Sequence, residues 1–297
     1  MALKALKKQA GGKRRKWPVT VSMLKWIRRE TAATMSRSDF TVFWATINLG
    51  WFFLLRAGEY LKHDGMDWDH NKVLVGANID LVLEDGTTAL LSQVPAGVSV
   101  RIIGSKTDVY NVGQIRKHFR SGDLEGVCPV AALTSLRREF PHRFGSGAES
   151  HLPVCRWTNG QPVLRTQVSS WLERAAAAQG VPPTRMGSHS LRIGGATALF
   201  NATGSIDQVK RFGRWLSSAF QGYLWESDEH AKGISRAMSQ HQAKLWAEHG
   251  LGAEAAAQHY GDRPSSSPVL PPQARHNLKV RWGGTQFLPS RDELGLT

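Results

Sequence analysis

His189 and Arg192 stand three residues apart at the head of the stretch 188–223, SHSLRIGGATALFNATGSIDQVKRFGRWLSSAFQGY, and Trp215 and Tyr223 close it. If LRIGGATALF is helical, His189 and Arg192 share one face. They then lie in its first turn, where unpaired main-chain N–H groups also favour an anion. That combination suits a phosphodiester, with the Tyr223 oxygen as attacking group. A phenol with a free pKa of about 10 is a weak nucleophile until nearby cations and a base such as His189 help it lose its proton. Arg192, with Arg56 far upstream, can offer planar forks to the non-bridging oxygens on which charge builds. Each residue taken singly has a plainer explanation. HxxR is common on helices, a Trp–Tyr pair is commonly core, and Arg56 can pair with Glu59 three residues on.

The elements that must position these residues are legible as patterns. Thr20 is a plausible N-cap of a helix with Val21, Leu24 and Ile27 near one face. Ser38-Asp39 are read as the cap of a second helix, FTVFWATINLGWFFLL, apolar nearly all round and therefore central. Arg56 follows that run directly, and a guanidinium so placed needs an anionic partner. Residues 76–115 change to β-branched alternation with turn residues, predicting a small antiparallel sheet built from ANIDLVLEDGTT, LLSQV and VSVRIIGSKTDVYNVGQI. Lys106 falls at or just before a hairpin tip of that sheet. Helices are predicted after Cys128-Pro129 and over TQVSSWLERAAAA, with LPVCRW a short strand between them. Gly194 and Gly195 weaken a helix and make better sense as positions of close approach. Ser205 should cap IDQVKRFG, and SSAFQGYLWE should be a short helix bearing Tyr223. Glu229 to His249 reads as one more amphipathic helix. From Leu251 onward no core-forming period appears. The expected organisation is a basic arm over 1–17, one domain over 18–250 and a loosely ordered tail over 251–297.

Composition narrows the partner. The chain has 297 residues, a formal charge of +14 and a pI near 10.2, which favours a polyanion, most often nucleic acid. Lys13, Arg14, Arg15 and Lys16 on the arm, and Lys210, Arg211 and Arg214 in the second half, are candidate DNA contacts. The arm also suits a nuclear address or a solvated tail. Two cysteines, Cys128 and Cys155, argue against a disulfide-stapled secreted domain. Their spacing with His142 and His151 matches no usual zinc pattern. The N-terminus lacks the apolar region of a secretory signal, and the longest apolar run is shorter than a membrane span. The expected location is the nucleus in a eukaryote and the cytoplasm otherwise.

Taken together, Arg56 within RAGEY, Lys106 on a hairpin, His189-Ser-Leu-Arg192, Trp215 within GRW, and Tyr223 resemble, in order and local context, the tyrosine recombinase (phage integrase) superfamily. The wording HSLRIGGAT…FGRWLSSAF..Y is most similar to the Crypton and DIRS-like mobile-element branch. Ile193 and Trp215 stand where His is frequent in prokaryotic members; both are familiar in this branch. The resemblance covers Pro18 to about Glu226 and implies an α+β, mostly helical catalytic core with a small antiparallel sheet carrying the Lys106 hairpin. It implies DNA cleavage and rejoining through a covalent 3′-phosphotyrosine on Tyr223, with Lys106 as general acid and His189, Arg56 and Arg192 around the phosphate. Trp215 would donate its indole N–H to the phosphate or pack beneath it, and Glu59 would orient Arg56. On this reading two Arg and a Lys supply the positive charge that metals supply elsewhere, so no metal or cofactor is required. The expected partner is double-stranded DNA, with dimers or tetramers on DNA joined through the 229–249 helix. Members usually carry an N-terminal helical clamp, and here a short arm precedes the core, so binding should be weak and salt-dependent. A non-catalytic DNA-binding descendant and a type IB topoisomerase-like enzyme are the competing expectations.

Overall fold

The computed structural model describes residues 15–68, 72–103, 113–122 and 126–225, and of Ala219 and Tyr223 the main chain alone. Lys13, Arg14, Lys106, the 229–249 helix and the 251–297 tail lie outside the described residues.

Helix α1, Val21–Thr34, starts where the Thr20 hydroxyl accepts the Met23 N–H, and buries Met23, Leu24, Ile27 and Thr31. Val21, expected on that face, is instead exposed. Helix α2, Arg37–Phe52, is the centre of the fold: Val42 through Trp51 are all buried. Its two buried polar side chains each donate back to the helix, while Asn48 Oδ1 is buried without a partner. Thr46 Oγ1 donates to the Val42 carbonyl and Asn48 Nδ2 to that of Trp44, each at 2.8 Å. The N-cap is Ser36 rather than Ser38-Asp39, because its hydroxyl accepts the Asp39 N–H at 3.1 Å. The Asp39 carboxylate turns instead to Thr158. At the other end α2 stops short of Leu55, since Leu54 takes the left-handed conformation with φ 49°.

The sheet is β1 (Ile79–Val82), β2 (Gly97–Ile102) and β3 (Gln114–Phe119), antiparallel in that order. Its register places Ile79 opposite Val100 and Val98 opposite His118. LLSQV is not a strand. It forms a turn, with Leu90, Leu91 and Val94 exposed, so its apolar residues have no sheet face to cover. β3 runs four residues past the expected end. LPVCRW contributes only isolated bridges, Val75 with Pro153 and Arg156 with Pro162. A proline in each pair lacks the N–H a ladder needs.

Helices α3 (Pro129–Glu139) and α4 (Arg165–Ala177) complete the packing around α2 and α1. Helix α5, His189–Thr203, is followed by α6, Ile206–Phe212, and by a 3₁₀ turn, Ser218–Tyr223. The pair Gly194-Gly195 sets how close α5 comes to α2. A Cβ on Gly194 would lie 2.2 Å from the Val19 carbonyl oxygen, and one on Gly195 would lie 1.9 Å from that of Trp51. Only hydrogen fits at either place. Trp51 Nε1 donates to the same Val19 carbonyl at 3.1 Å, tying the start of α1 to this contact. The result is a mixed, mostly helical fold with a small three-stranded sheet, whose main core lies between α2 and its neighbours. A second apolar cluster, Leu54, Ala196, Phe200, Val209, Trp215 and Phe220, lies where α2, α5, α6 and the 3₁₀ turn meet.

Candidate active site

The site assembles around one carbonyl. After α2 the chain turns at Leu54, and the left-handed conformation of that residue points its oxygen at two arginines. Arg192 Nη1 donates to it, and Arg214 Nη2 does so at 3.4 Å. Arg214 also has positive φ, at 60°. Left-handed backbone in a branched or long side chain costs of order 1–3 kcal/mol and persists where surroundings over-determine it. Here the determinants are visible: each residue serves a hydrogen bond that extended backbone would break.

Arg214 is 4% exposed and makes a two-pronged ion pair with Glu59, Nη1 to Oε1 at 2.9 Å and Nη2 to Oε2 at 2.7 Å. Glu59 is shared. Its Oε2 also accepts the Arg56 N–H at 2.7 Å, and its Oε1 accepts from Arg56 Nη1 at 3.0 Å. Burial alone would raise the Glu59 pKa. The Arg214 charge and hydrogen bond, then the Arg56 N–H and charge, outweigh it, and the carboxyl is held below the usual range. Glu59 therefore pairs with Arg56, the plainer expectation for that arginine, and it also neutralises Arg214. The assignment of Arg214 as a DNA contact is corrected by this pair, since the side chain has no exposed surface and is committed to Glu59.

Arg192, in the first turn of α5, is 1% exposed. Its guanidinium faces the carbonyls of Leu54 and Gly213, the latter at 2.6 Å, and lies 4.2 Å from the Trp215 ring centroid. The fork expected to meet phosphate oxygens is thus directed at the main chain in this state. Trp215 packs on that cation with one face and tilts against Phe220 at 6.3 Å. Arg56, by contrast, keeps 35% of its side chain exposed. His189 is half-buried beside Arg192 and Arg165. Burial first, and then those two charges, lower its pKa below that of a free imidazole. Tyr223 is the last residue of the 3₁₀ turn, whose Phe220 is seated in the second cluster.

The structure brings Arg56, Glu59, Arg192, Arg214 and Trp215 into one connected network. Beside it opens a cleft of about 1220 Å³ between β3 and α6, lined by Arg116, Lys117, His118, Lys210, Arg211 and Trp215 among others. Arg211 is exposed and Lys210 half-buried. Burial, then the charges of Arg214 and Arg211, lower the Arg116 pKa. Arg116 donates to the Phe212 carbonyl at 3.2 Å and to that of Arg211. His118 Nε2 sits 2.9 Å from the Phe52 carbonyl, at the end of α2, with Phe52, Phe53 and Phe212 edge-on around the ring. Sequence reading missed Arg116 and His118, although their alternation in QIRKHF puts both on one strand face. Nothing in the sequence marked Leu54.

Two arm residues make contacts that the sequence did not predict. Lys16 Nζ donates to the Thr184 carbonyl at 3.1 Å and to that of Met186, and Arg15 Nη2 donates to the Leu224 carbonyl at 2.7 Å. Both cations meet protein carbonyls. Cys128 and Cys155 are buried free thiols, and burial pushes Cys155 up to about 12. Among the described residues no group of three or more His, Cys, Asp or Glu could hold a metal, and no helix is long and apolar enough to cross a membrane.

No protein-family model and no curated protein sequence matches this chain. Among solved structures it is similar to XerH site-specific recombinase in a post-cleavage complex with palindromic difH substrate. The TM-score is 0.48 and the identity 14%, over 80% of this chain and 55% of that one. It is also similar to XerA recombinase, with TM-score 0.46 and 12% identity over 84% of this chain and 72% of that one. A lambda integrase dimer bound to a COC′ core site gives TM-score 0.44 and 17% identity over 75% and 53%. The chain spans just over half the length of the XerH chain it matches.

Proposed function

We propose that this chain cleaves and rejoins DNA strands as a metal-independent tyrosine recombinase of a mobile element, of the Crypton/DIRS-like branch. The observation that supports it best is the network joining Arg56, Glu59, Arg214, Arg192 and Trp215 through the Leu54 carbonyl, set between His189 and the turn ending at Tyr223. In the step proposed, the Tyr223 oxygen attacks phosphorus. The Tyr–O–P bond forms as the bond to the 5′-oxygen breaks. The Tyr223 proton passes to neutral His189, and the departing 5′-oxygen takes a proton from Lys106. Arg56 and Arg192 carry the charge that builds on the non-bridging oxygens. Losing one such preorganised donor typically costs about 3–4 kcal/mol in the barrier. Resealing is the reverse, with a 5′-hydroxyl as nucleophile, and the phosphodiester's energy is kept in the tyrosyl bond. Double-stranded DNA would lie along the cleft of Arg116, Lys117, Lys210 and Arg211. Self-association on DNA through the 229–249 helix and a nuclear location belong to the same proposal.

A second reading has a specific observation behind it. Arg192 faces main-chain carbonyls at 1% exposure, which suits a descendant that keeps DNA and no longer cuts it. A nicked suicide duplex separates the two. The recombinase reading expects a covalent protein–DNA adduct that is lost in Tyr223→Phe. Tight binding with no adduct on any duplex tried would overturn it in favour of the binder.

A further inference from the structure

Leu224 and Trp225, the two residues after Tyr223, are held by residues from the start of the chain, more than 200 positions away. Arg15 Nη2 donates to the Leu224 carbonyl at 2.7 Å, and its guanidinium carbon lies 4.5 Å from the Trp225 ring centroid. Trp17 meets the same ring edge-on, with centroids 5.8 Å apart and planes at 60°. Asn201 Nδ2, on α5, donates to the Trp225 carbonyl at 3.3 Å. The arm end that does the holding is itself fixed. The Trp17 N–H donates to the Arg185 carbonyl at 2.9 Å, and Lys16 Nζ to those of Thr184 and Met186. Those three acceptors lie in the segment that runs directly into His189.

We propose that Arg15 and Trp17 are positioning residues for Tyr223: they clasp Leu224–Trp225 and so fix where the Ser218–Tyr223 turn stops. The inference rests on the reading of Tyr223 as nucleophile. A 3₁₀ turn has poorer hydrogen-bond geometry than an α-helix and is short, so its end is set by what it packs against. Upstream that is Phe220 on Trp215. Downstream it is the clasp. Because the clasp residues are also bonded to the segment before His189, one piece of chain holds the nucleophile's turn and the start of α5 in common register. A nucleophile acts efficiently only near its attack distance, and misplacement by about 1 Å can cost 10²-fold in rate. Arg15 then has a second use besides phosphate contact, one that needs a guanidinium rather than any positive charge. A lysine keeps the charge and loses both the planar fork and the stack.

The test uses the full chain with Arg15→Lys, Trp225→Ala and Trp225→Phe. Amide hydrogen exchange over 218–225, without DNA, reads the clasp. Single-turnover adduct formation on a nicked suicide duplex reads the role, as the saturating rate against the half-saturating DNA concentration. Expected for Arg15→Lys and Trp225→Ala are faster exchange and a saturating rate lower by roughly 10- to 100-fold. The half-saturating concentration should stay within about twofold, the signature of an effect on the chemical step alone. Trp225→Phe, which keeps an aromatic face, should recover most of the rate. Unchanged exchange overturns the clasp. A defect that disappears at saturating DNA overturns positioning, because Arg15 would then act as a phosphate contact. No adduct from the wild-type chain would overturn the proposed function, and the exchange measurement, made without DNA, tells that failure apart from a failure of the clasp.

Discussion

Two groups of cations lie near Trp215, and they are opposite in kind. Arg192 and Arg214 are buried, each fixed by main-chain carbonyls, and Arg214 is neutralised by Glu59. Lys210, Arg211 and Lys117 line an open cleft and meet water. A buried guanidinium already held by hydrogen bonds has little freedom left to lose, so its value lies in the place it holds. A solvated one moves freely, and its value lies in the counterions it can release. The contrast teaches that net charge counts both groups alike and so cannot tell them apart. Most of the +14 could be altered without touching the buried network, and one buried substitution could destroy it without changing affinity much.

The largest expected effect breaks the buried side. Arg214→Met leaves the Glu59 carboxylate with one half-exposed partner in a site built for two. Removing one member of a buried pair typically costs about 3–5 kcal/mol, to be read from urea unfolding. Adding Glu59→Gln to Arg214→Met should recover part of that loss. A single-variant loss under about 1 kcal/mol would place the pair in the class of surface ion pairs and end the contrast.

The cleft side should answer differently. Lys210→Ala and Arg211→Ala should each lower the slope of log affinity against log salt by about 1, weakening binding uniformly across DNA sequences. Their unfolding free energies should stay within about 0.5 kcal/mol of the parent. A salt slope unchanged by both substitutions would move the DNA path off this cleft.

The smallest effect is in pH. The folded pKa of Glu59 is lowered, so its contribution to stability is whole above the ordinary glutamate value of about 4.3 and is lost as pH falls through the folded value. His118 and His189 are lowered as well, burial being the first cause in both. Protonation of either favours the unfolded chain. Their contributions are whole above the ordinary histidine value of about 6.5 and are lost as pH falls below it. Stability should therefore decline from about pH 7 to about pH 5, and His118→Gln, which keeps a donor for the Phe52 carbonyl but does not titrate, should flatten that decline. An identical profile in the variant would remove His118 from this account.

What the sequence disclosed and what it hid divide along the same line. Local patterns carried the cap at Thr20, the central run of α2, the Pro129 start of α3, the Gly194-Gly195 approach and the Ser205 cap, because each depends on neighbours in sequence. The Arg56–Glu59 pair was legible for the same reason, three residues being about one helical turn. The second partner of Glu59 was not. Arg214 lies 155 residues away, and a GRW triplet looks the same whether its arginine faces solvent or a carboxylate. The ends of α2 were misplaced by two to three residues because the Ser36 hydroxyl outcompeted Ser38, and because Leu54, with no glycine to announce it, turned left-handed. LLSQV looked like a strand by composition, but strand identity belongs to a partner, and β1 and β2 already had each other.

The shared Leu54 carbonyl also bears on the order in which the molecule can be made. Its two arginine donors lie 138 and 160 residues further along the chain. Closing loops of that length is entropically slow and is rewarded only when the distant contacts form. While the chain is being synthesised, α1, α2 and the sheet emerge first, with Glu59 facing Arg56 alone and the turn at Leu54 unsupported. The network closes only after α5 docks through its paired glycines and the Gly213–Trp215 corner follows. The Arg192–Arg214 end of the network is thus finished last, after the helices that precede it have emerged.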